Sequence, residues 1–222
     1  MNQKKLQENN LPKYTLGEEI VNAITHGCGV LMGIIVLLLC ILKTSNGSII
    51  STVTTCVYGC SMILLYLIST LYHSLVPSMG KKVFQILDHC SIFLLIAGTY
   101  TPIMMISVYP HDPISAGFIM ALQWGVSAIL ITLNAIDMKR FRAFTYTGYI
   151  VLGWALLFIA PAAIRFIHHT GLLYIFLGGV SYTIGAIIFA IGTKKRWFHS
   201  VFHVFVLLGS LLQFIGIYQY LL

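Results

Sequence analysis

Charge is what this 222-residue sequence has least of. Asp, Glu, Lys and Arg together make up 9% of it, against roughly 25% in an ordinary soluble domain. A soluble surface cannot be built from so few ions, and 58% of the side chains are apolar, with a mean hydropathy of +0.90. That combination excludes a soluble enzyme, a disordered tail and a nucleic-acid binder, even at a net charge of +7, because the basic residues sit in short clusters between apolar runs. Cysteine is scarce as well. Cys28, Cys40, Cys56, Cys60 and Cys90 form no CxxC pair and are odd in number, which excludes a disulfide scaffold. Residues 1–19 lack an early apolar core and a small-residue cleavage site, so the first apolar segment is expected to remain as an uncleaved anchor.

What the sequence has instead is long apolar runs. A hydrocarbon core about 30 Å thick is crossed by roughly 20 helical residues. Cuts at charges, Pro and Gly give seven such stretches, at about 20–42, 49–75, 84–108, 114–136, 144–160, 171–191 and 198–220. The fold expected is an all-α membrane protein: one seven-transmembrane domain, residues 20–222, behind a polar cytoplasmic N-terminus, residues 1–19. Basic residues set the orientation. Lys4, Lys5, Lys13, Lys81, Lys82, Lys139, Arg140, Arg142, Lys194, Lys195 and Arg196 fall on one side and only Lys43 and Arg165 on the other. The positive-inside rule then places the N-terminus in the cytoplasm and the C-terminus outside, in the cell membrane.

Ionisable side chains are costly inside a bilayer, about 2.5 kcal/mol or more near its centre, so their placement carries information. Ser69 and His73 lie in the last turns of the second span, Asp88 and His89 early in the third, His199 and His203 early in the seventh, and Asn22 and His26 early in the first. All fall in the half of the bundle assigned to the cytoplasm. Ser69 with His73, His199 with His203, and Asn22 with His26 are i, i+4 pairs, each sharing a helix face. Taken alone, each histidine reads as an interfacial residue. Taken jointly, an i, i+4 His pair with a third imidazole at the same depth is the ligand set of a catalytic zinc with one position open. Asp88 is then placed to act as a general base toward zinc-bound water, and Ser69 to hydrogen-bond the water, Asp88 or a developing oxyanion. His111, Asp112, His168 and His169 fall in external loops and read as solvated.

These residues also carry a resemblance. Glu19-x-x-Asn22-x-x-Thr25-His26-Gly27 resembles the opening motif of the bacterial hemolysin III family and of its eukaryotic relatives, the adiponectin and progestin receptors. Ser69-x-x-x-His73 is similar to the second-helix motif of that superfamily. The stretch Leu87-Asp88 through Leu94-Leu95, Gly98 and Pro102 is similar to its third-helix block, and His199-x-x-x-His203 to its seventh-helix motif. The resemblance implies zinc held by His73, His199 and His203 in a seven-helix bundle, with Asp88 beside the bound water and Asn22 and His26 bracing loops near the site. Similarity to the alkaline ceramidases implies a hydrolase acting on an amide or ester bond of a membrane lipid. The same family name also admits a cytolysin that forms pores, and the eukaryotic branch admits a receptor or sensor with a structural zinc. The lipid and the oligomeric state are left open by these motifs.

Overall fold

The computed structural model describes residues 11–192 and 195–222. They fold into α1 (Leu16–Thr44), α2 (Ile49–Ser74), α3 (Met79–Pro102) with a π-helical continuation Ile103–Val108, α4 (Pro113–Asp137), α5 (Arg142–Gly153), a 3₁₀ stretch Ala155–Ile159, α6 (Ala160–Phe166), α7 (His169–Gly192) and α8 (Phe198–Tyr220). Six stretches are long and apolar enough to cross a bilayer: α1, α2, α3 with its continuation, α4, α7 and α8. The expected fifth span is instead two pieces, Arg142–Gly153 and Ala155–Phe166, meeting at 46°.

Local chemistry explains where the boundaries depart from apolar counting. α1 begins four residues before position 20 because Thr15 caps it: the Thr15 side chain accepts from the Glu18 N–H while the Glu18 carboxylate accepts from the Thr15 N–H, a reciprocal capping box. The first turn therefore brings Glu18 and Glu19 into the helix, both buried, so Asp88 is not the only acid within a helix of the bundle. α3 likewise starts at Met79, before its lysines, because the Ser78 hydroxyl accepts from the Lys81 N–H at 3.2 Å.

Proline accounts for the two irregular segments. Pro102 has no N–H to give, and the chain after it widens so that Tyr109 N bonds Met104 O at 2.8 Å, five residues back. Pro161 stands in the first turn of α6, where a missing N–H is tolerated, and cannot continue the helix that precedes it. The break between α5 and α6 frees backbone groups, which a bilayer interior cannot solvate. Tyr100 resolves this from α3, its hydroxyl donating to Gly153 O at 2.9 Å and accepting from Leu156 N at 3.1 Å, while Gln123 Nε2 donates to Leu152 O at 2.8 Å.

Between α7 and α8 the packing is set by glycine. Gly171, Gly178, Gly185 and Gly192 recur every seven residues along α7, and all are buried. A Cβ on Gly178 would lie 2.5 Å from Gln213 Cγ and 2.9 Å from the Gly209 carbonyl oxygen; on Gly192 it would lie 2.2 Å from Phe198 Cβ. The two backbones thus approach through a seam of absent side chains, the usual basis of close association where lipid gives no hydrophobic drive. A seven-residue period also holds that seam on one side of the helix along its length. The outward faces are lipid-like: on α1, Leu31, Ile35, Leu38 and Leu42 are exposed while Asn22, His26, Gly29, Gly33, Val36 and Cys40 are buried.

Gly178→Leu is expected to force α7 and α8 apart and to destabilise the bundle by about 1–3 kcal/mol. It should be read as a lowered unfolding temperature in detergent. Gly117→Leu, at an exposed position where a Cβ meets nothing within 4 Å, should leave that temperature unchanged.

Candidate metal centre

Two helices bring the three histidines together. His73 comes from the last turns of α2, and His199 and His203 from the first turns of α8, one turn apart on one face. The start of α8 is fixed to the start of α1: Trp197 takes φ 67°, a left-handed conformation costing roughly 1–2 kcal/mol for a non-glycine residue, and its N–H donates to Glu18 Oε1 at 2.7 Å. Glu18 therefore caps α1 with one oxygen and anchors the ligand-bearing end of α8 with the other.

The three imidazoles converge through one type of atom. His199 Nε2 lies 3.1 Å from His73 Nε2 and 3.0 Å from His203 Nε2, and a ligand atom from each residue lies within 4.8 Å of the others. In two of them the far nitrogen shows which tautomer the ring takes. His73 Nδ1 is 2.7 Å from Glu19 Oε2, a carboxylate oxygen that can only accept, so Nδ1 carries the proton. Thr25 Oγ1 donates its single proton to a carbonyl of its own helix, Val21 O at 2.8 Å. It accordingly accepts from His203 Nδ1 at 3.2 Å. Two of the three Nε2 atoms thus face the centre with bare lone pairs. His199 Nε2 has at most one proton to share between them, and this donor set fits a zinc ion held by three neutral imidazoles.

The carboxylate behind His73 is itself held. Glu19 Oε1 accepts from Lys81 Nζ at 2.7 Å, and Lys81 also donates to Leu75 O at 2.9 Å. Lys81 is thus a buried strut, although in the sequence it reads as an interfacial cation. Asn22 and His26 do not reach loops. Asn22 accepts from the Ser200 hydroxyl on α8 at 2.6 Å and has Nδ2 3.5 Å from His73 Nδ1 on α2. His26 stacks on His203 with ring centroids 3.5 Å apart at 7°. Tyr14, preceding α1, lies over the cluster with its ring 5.0 Å from that of His199. Burial, with Glu19 and Asp88 nearby, pushes its phenol pKa up, so it stays a neutral hydroxyl. Glu19, Asn22, Thr25 and His26 are four of the five named positions of the opening motif. Lys81 and Tyr14 have no comparable signal.

Asp88 and Ser69 stand beside the triad, outside the ligand cluster. Both line an apolar cavity of about 360 Å³ together with His199 and His203. The half-buried Asp88 carboxylate makes no ion pair among the described residues, and Ser69 Oγ is buried without a hydrogen-bond partner. His89 is tied to its own helix, Nδ1 lying 2.9 Å from Gln85 O. At the far end of the bundle, Asp112 is no loose loop residue. It caps α4 through Ser115 N at 3.0 Å, and the hydrogen bonds from Ser115 hold its carboxyl pKa below the usual range.

Long apolar helices packed around a buried polar cluster define a multi-pass integral membrane protein. The chain belongs to the haemolysin III family, whose description, Haemolysin-III related, matches residues 14–214. It is 36% identical over 211 residues to the hemolysin-3 homolog of Bacillus subtilis (strain 168), covering 93% of this chain and 96% of that protein. Hemolysin-3 of Bacillus cereus is 37% identical over 206 residues, 92% of each chain. The adiponectin receptor protein of Drosophila melanogaster is 25% identical over 163 residues, 61% of this chain and 35% of the receptor.

Glu19→Ala removes the acceptor that sets the His73 tautomer. Loss of such a partner is expected to weaken zinc binding by about 10- to 100-fold, as measured by competition with a chromogenic chelator. Leaving Lys81 buried and unpaired, the substitution should also lower the unfolding temperature. Glu19→Gln keeps an oxygen acceptor and should lose less affinity.

Proposed function

We propose that the chain crosses the membrane seven times, with its N-terminus and the histidine cluster on the cytoplasmic side and its C-terminus outside, and that the cluster is the zinc site of a lipid amide or ester hydrolase. The bent pair supports the seventh crossing. Arg142 and Thr145 line the same cavity as His199, at one end, while Gly171, just after α6, packs against Tyr220 at the other. Residues 142–166 thus link the two ends of the bundle, as a crossing must. The distribution of Lys and Arg supports the orientation.

The observation that carries the hydrolase reading is the convergence of three Nε2 atoms, His199's lying 3.0–3.1 Å from the other two, beside an apolar cavity lined by His199, His203, Asp88 and Ser69. Three ligating groups, among the described residues, leave a coordination position open, which favours a catalytic over a closed structural site. When bound there, zinc would polarise the scissile carbonyl and lower the pKa of water toward neutrality. The rest is done by the protein. Ile92, Leu95, Ile96 and Val206 in the cavity wall hold an acyl chain and exclude water from it. Asp88 takes the proton of the attacking water on its carboxylate and returns it to the leaving amine or alcohol. The Ser69 hydroxyl, with no partner of its own, donates to the carbonyl oxygen as charge develops on it. Glu19 and Thr25 keep His73 and His203 in the tautomers that face inward.

Purified protein is expected to carry about one zinc per chain, and His199→Ala with His203→Ala to carry none by elemental analysis. Incubated with a membrane lipid extract, wild type should release products by mass spectrometry that Asp88→Ala does not. Identical product profiles from the two would leave the hydrolase reading without support. For orientation, a cysteine replacing Lys139 in a cysteine-free background should be labelled by an impermeant maleimide only after the cells are opened, and one replacing His168 in intact cells.

A further inference from the structure

His199 of the triad lies between two cavities of opposite character. The apolar one, of about 360 Å³, runs into the bundle. The other, of about 930 Å³, opens at the end of the bundle bearing the triad, and Lys13, Lys82, Lys139, Arg142, Lys195 and Arg196 line it. The two share Asp88, His89, Tyr146, Phe189 and His199 as common wall. Positive-inside topology explains lysines and arginines on one face of a membrane protein, but not their convergence from three connecting segments and two helix starts onto one cavity.

The cations also lack acidic partners, although Lys82 donates to Gln85 Oε1 at 2.8 Å and Arg142 and Lys195 lie over the Tyr146 and Phe198 rings. None of the six pairs with a carboxylate among the described residues, whereas the buried Lys81 does. Two acids line the same cavity, Glu18 and Asp88. Glu18 is already engaged by the N–H groups of Thr15 and Trp197 and by the Thr15 hydroxyl. The basic wall is therefore not neutralised from within, and its two guanidinium groups have the planar donor geometry that suits phosphate.

We propose that this vestibule binds the phosphate head group of an anionic glycerolipid whose acyl chain enters the apolar cavity. The inference rests on the lipid-hydrolase reading and narrows it. In a glycerophospholipid the acyl ester is separated from the phosphate by the glycerol alone, so a molecule with its head in one cavity and its chain in the other sets that ester at the shared wall, beside the triad and Asp88. A neutral head group would leave six cations facing only two carboxylates.

The test uses purified full-length protein in a neutral detergent, with lysophosphatidic acid and lysophosphatidylcholine of the same acyl chain as probes. The phosphate lipid is expected to bind about tenfold tighter or more, a preference of about 1.4 kcal/mol, and raised salt should erode it. Arg142→Gln with Lys195→Gln and Arg196→Gln should abolish the preference, the two lipids then binding alike. If that variant does not fold, the salt dependence of wild type decides. Equal affinity of the two lipids, or a preference insensitive to both salt and substitution, overturns the proposal. Displacement of the phosphate lipid by glycerol phosphate as effectively as by the lipid itself overturns it in favour of a soluble phosphate ligand. Turnover separates the two readings. A preferred but uncleaved phosphate lipid counts against the hydrolase and for the vestibule, whereas a neutral lipid amide bound and cleaved equally well counts the other way.

Discussion

Three imidazole Nε2 atoms, two of them bare acceptors and the third, that of His199, 3.0–3.1 Å from both, are the constraint around which this end of the protein is arranged. Imidazoles do not adopt that arrangement for their own benefit. It persists because two of the rings are fixed from behind: His73 by Glu19, Glu19 by Lys81, and His203 by Thr25, whose own proton is spent on its helix. A buried ion pair such as Glu19 with Lys81 contributes little net stability, since desolvation offsets most of its attraction. Its consequence is orientation, and through orientation the donor set that suits a divalent cation.

Packing farther from the site serves the same end. α8 carries two of the three histidines, and its position depends on the glycine seam of α7 along its length and on the Glu18–Trp197 contact at its start. The break between α5 and α6 has a related effect. Trp154 and Gly153, at the bend, stand in the wall of the apolar cavity, and the backbone groups freed there are bonded by Tyr100 and Gln123 rather than left exposed to lipid. An uninterrupted helix would have carried backbone and side chains past that point in regular order.

The apolar runs and the i, i+4 spacing of His199 and His203 were legible because both are local properties of the chain. His73, Ser69 and Asp88 were legible because polar residues at matching depth stand out against 58% apolar side chains. The pairing of Glu19 with Lys81 was not, and the reason is tertiary: the two are 62 residues apart, and nothing near Lys81 distinguishes a buried partner from an interfacial charge. The helix starts at Leu16 and Met79 were masked by the charges beside them, although Thr15 with Glu18 and the lone Ser78 were readable as caps. The broken fifth span was masked by counting apolar length, which is blind to a bend, despite Gly153 and Pro161. The glycine period in α7 was present in the sequence throughout. Only the approach of α8 gives it meaning.

The arrangement of this end of the bundle has its proposed meaning only where the three Nε2 atoms surround one ion. Zinc-edge X-ray absorption on the purified protein tests this directly. Three imidazole nitrogens and one further light atom at about 2.0–2.1 Å are predicted, with the imidazole signal reduced in His199→Ala. A zinc bound through sulfur, or an imidazole signal unchanged by that substitution, would contradict it.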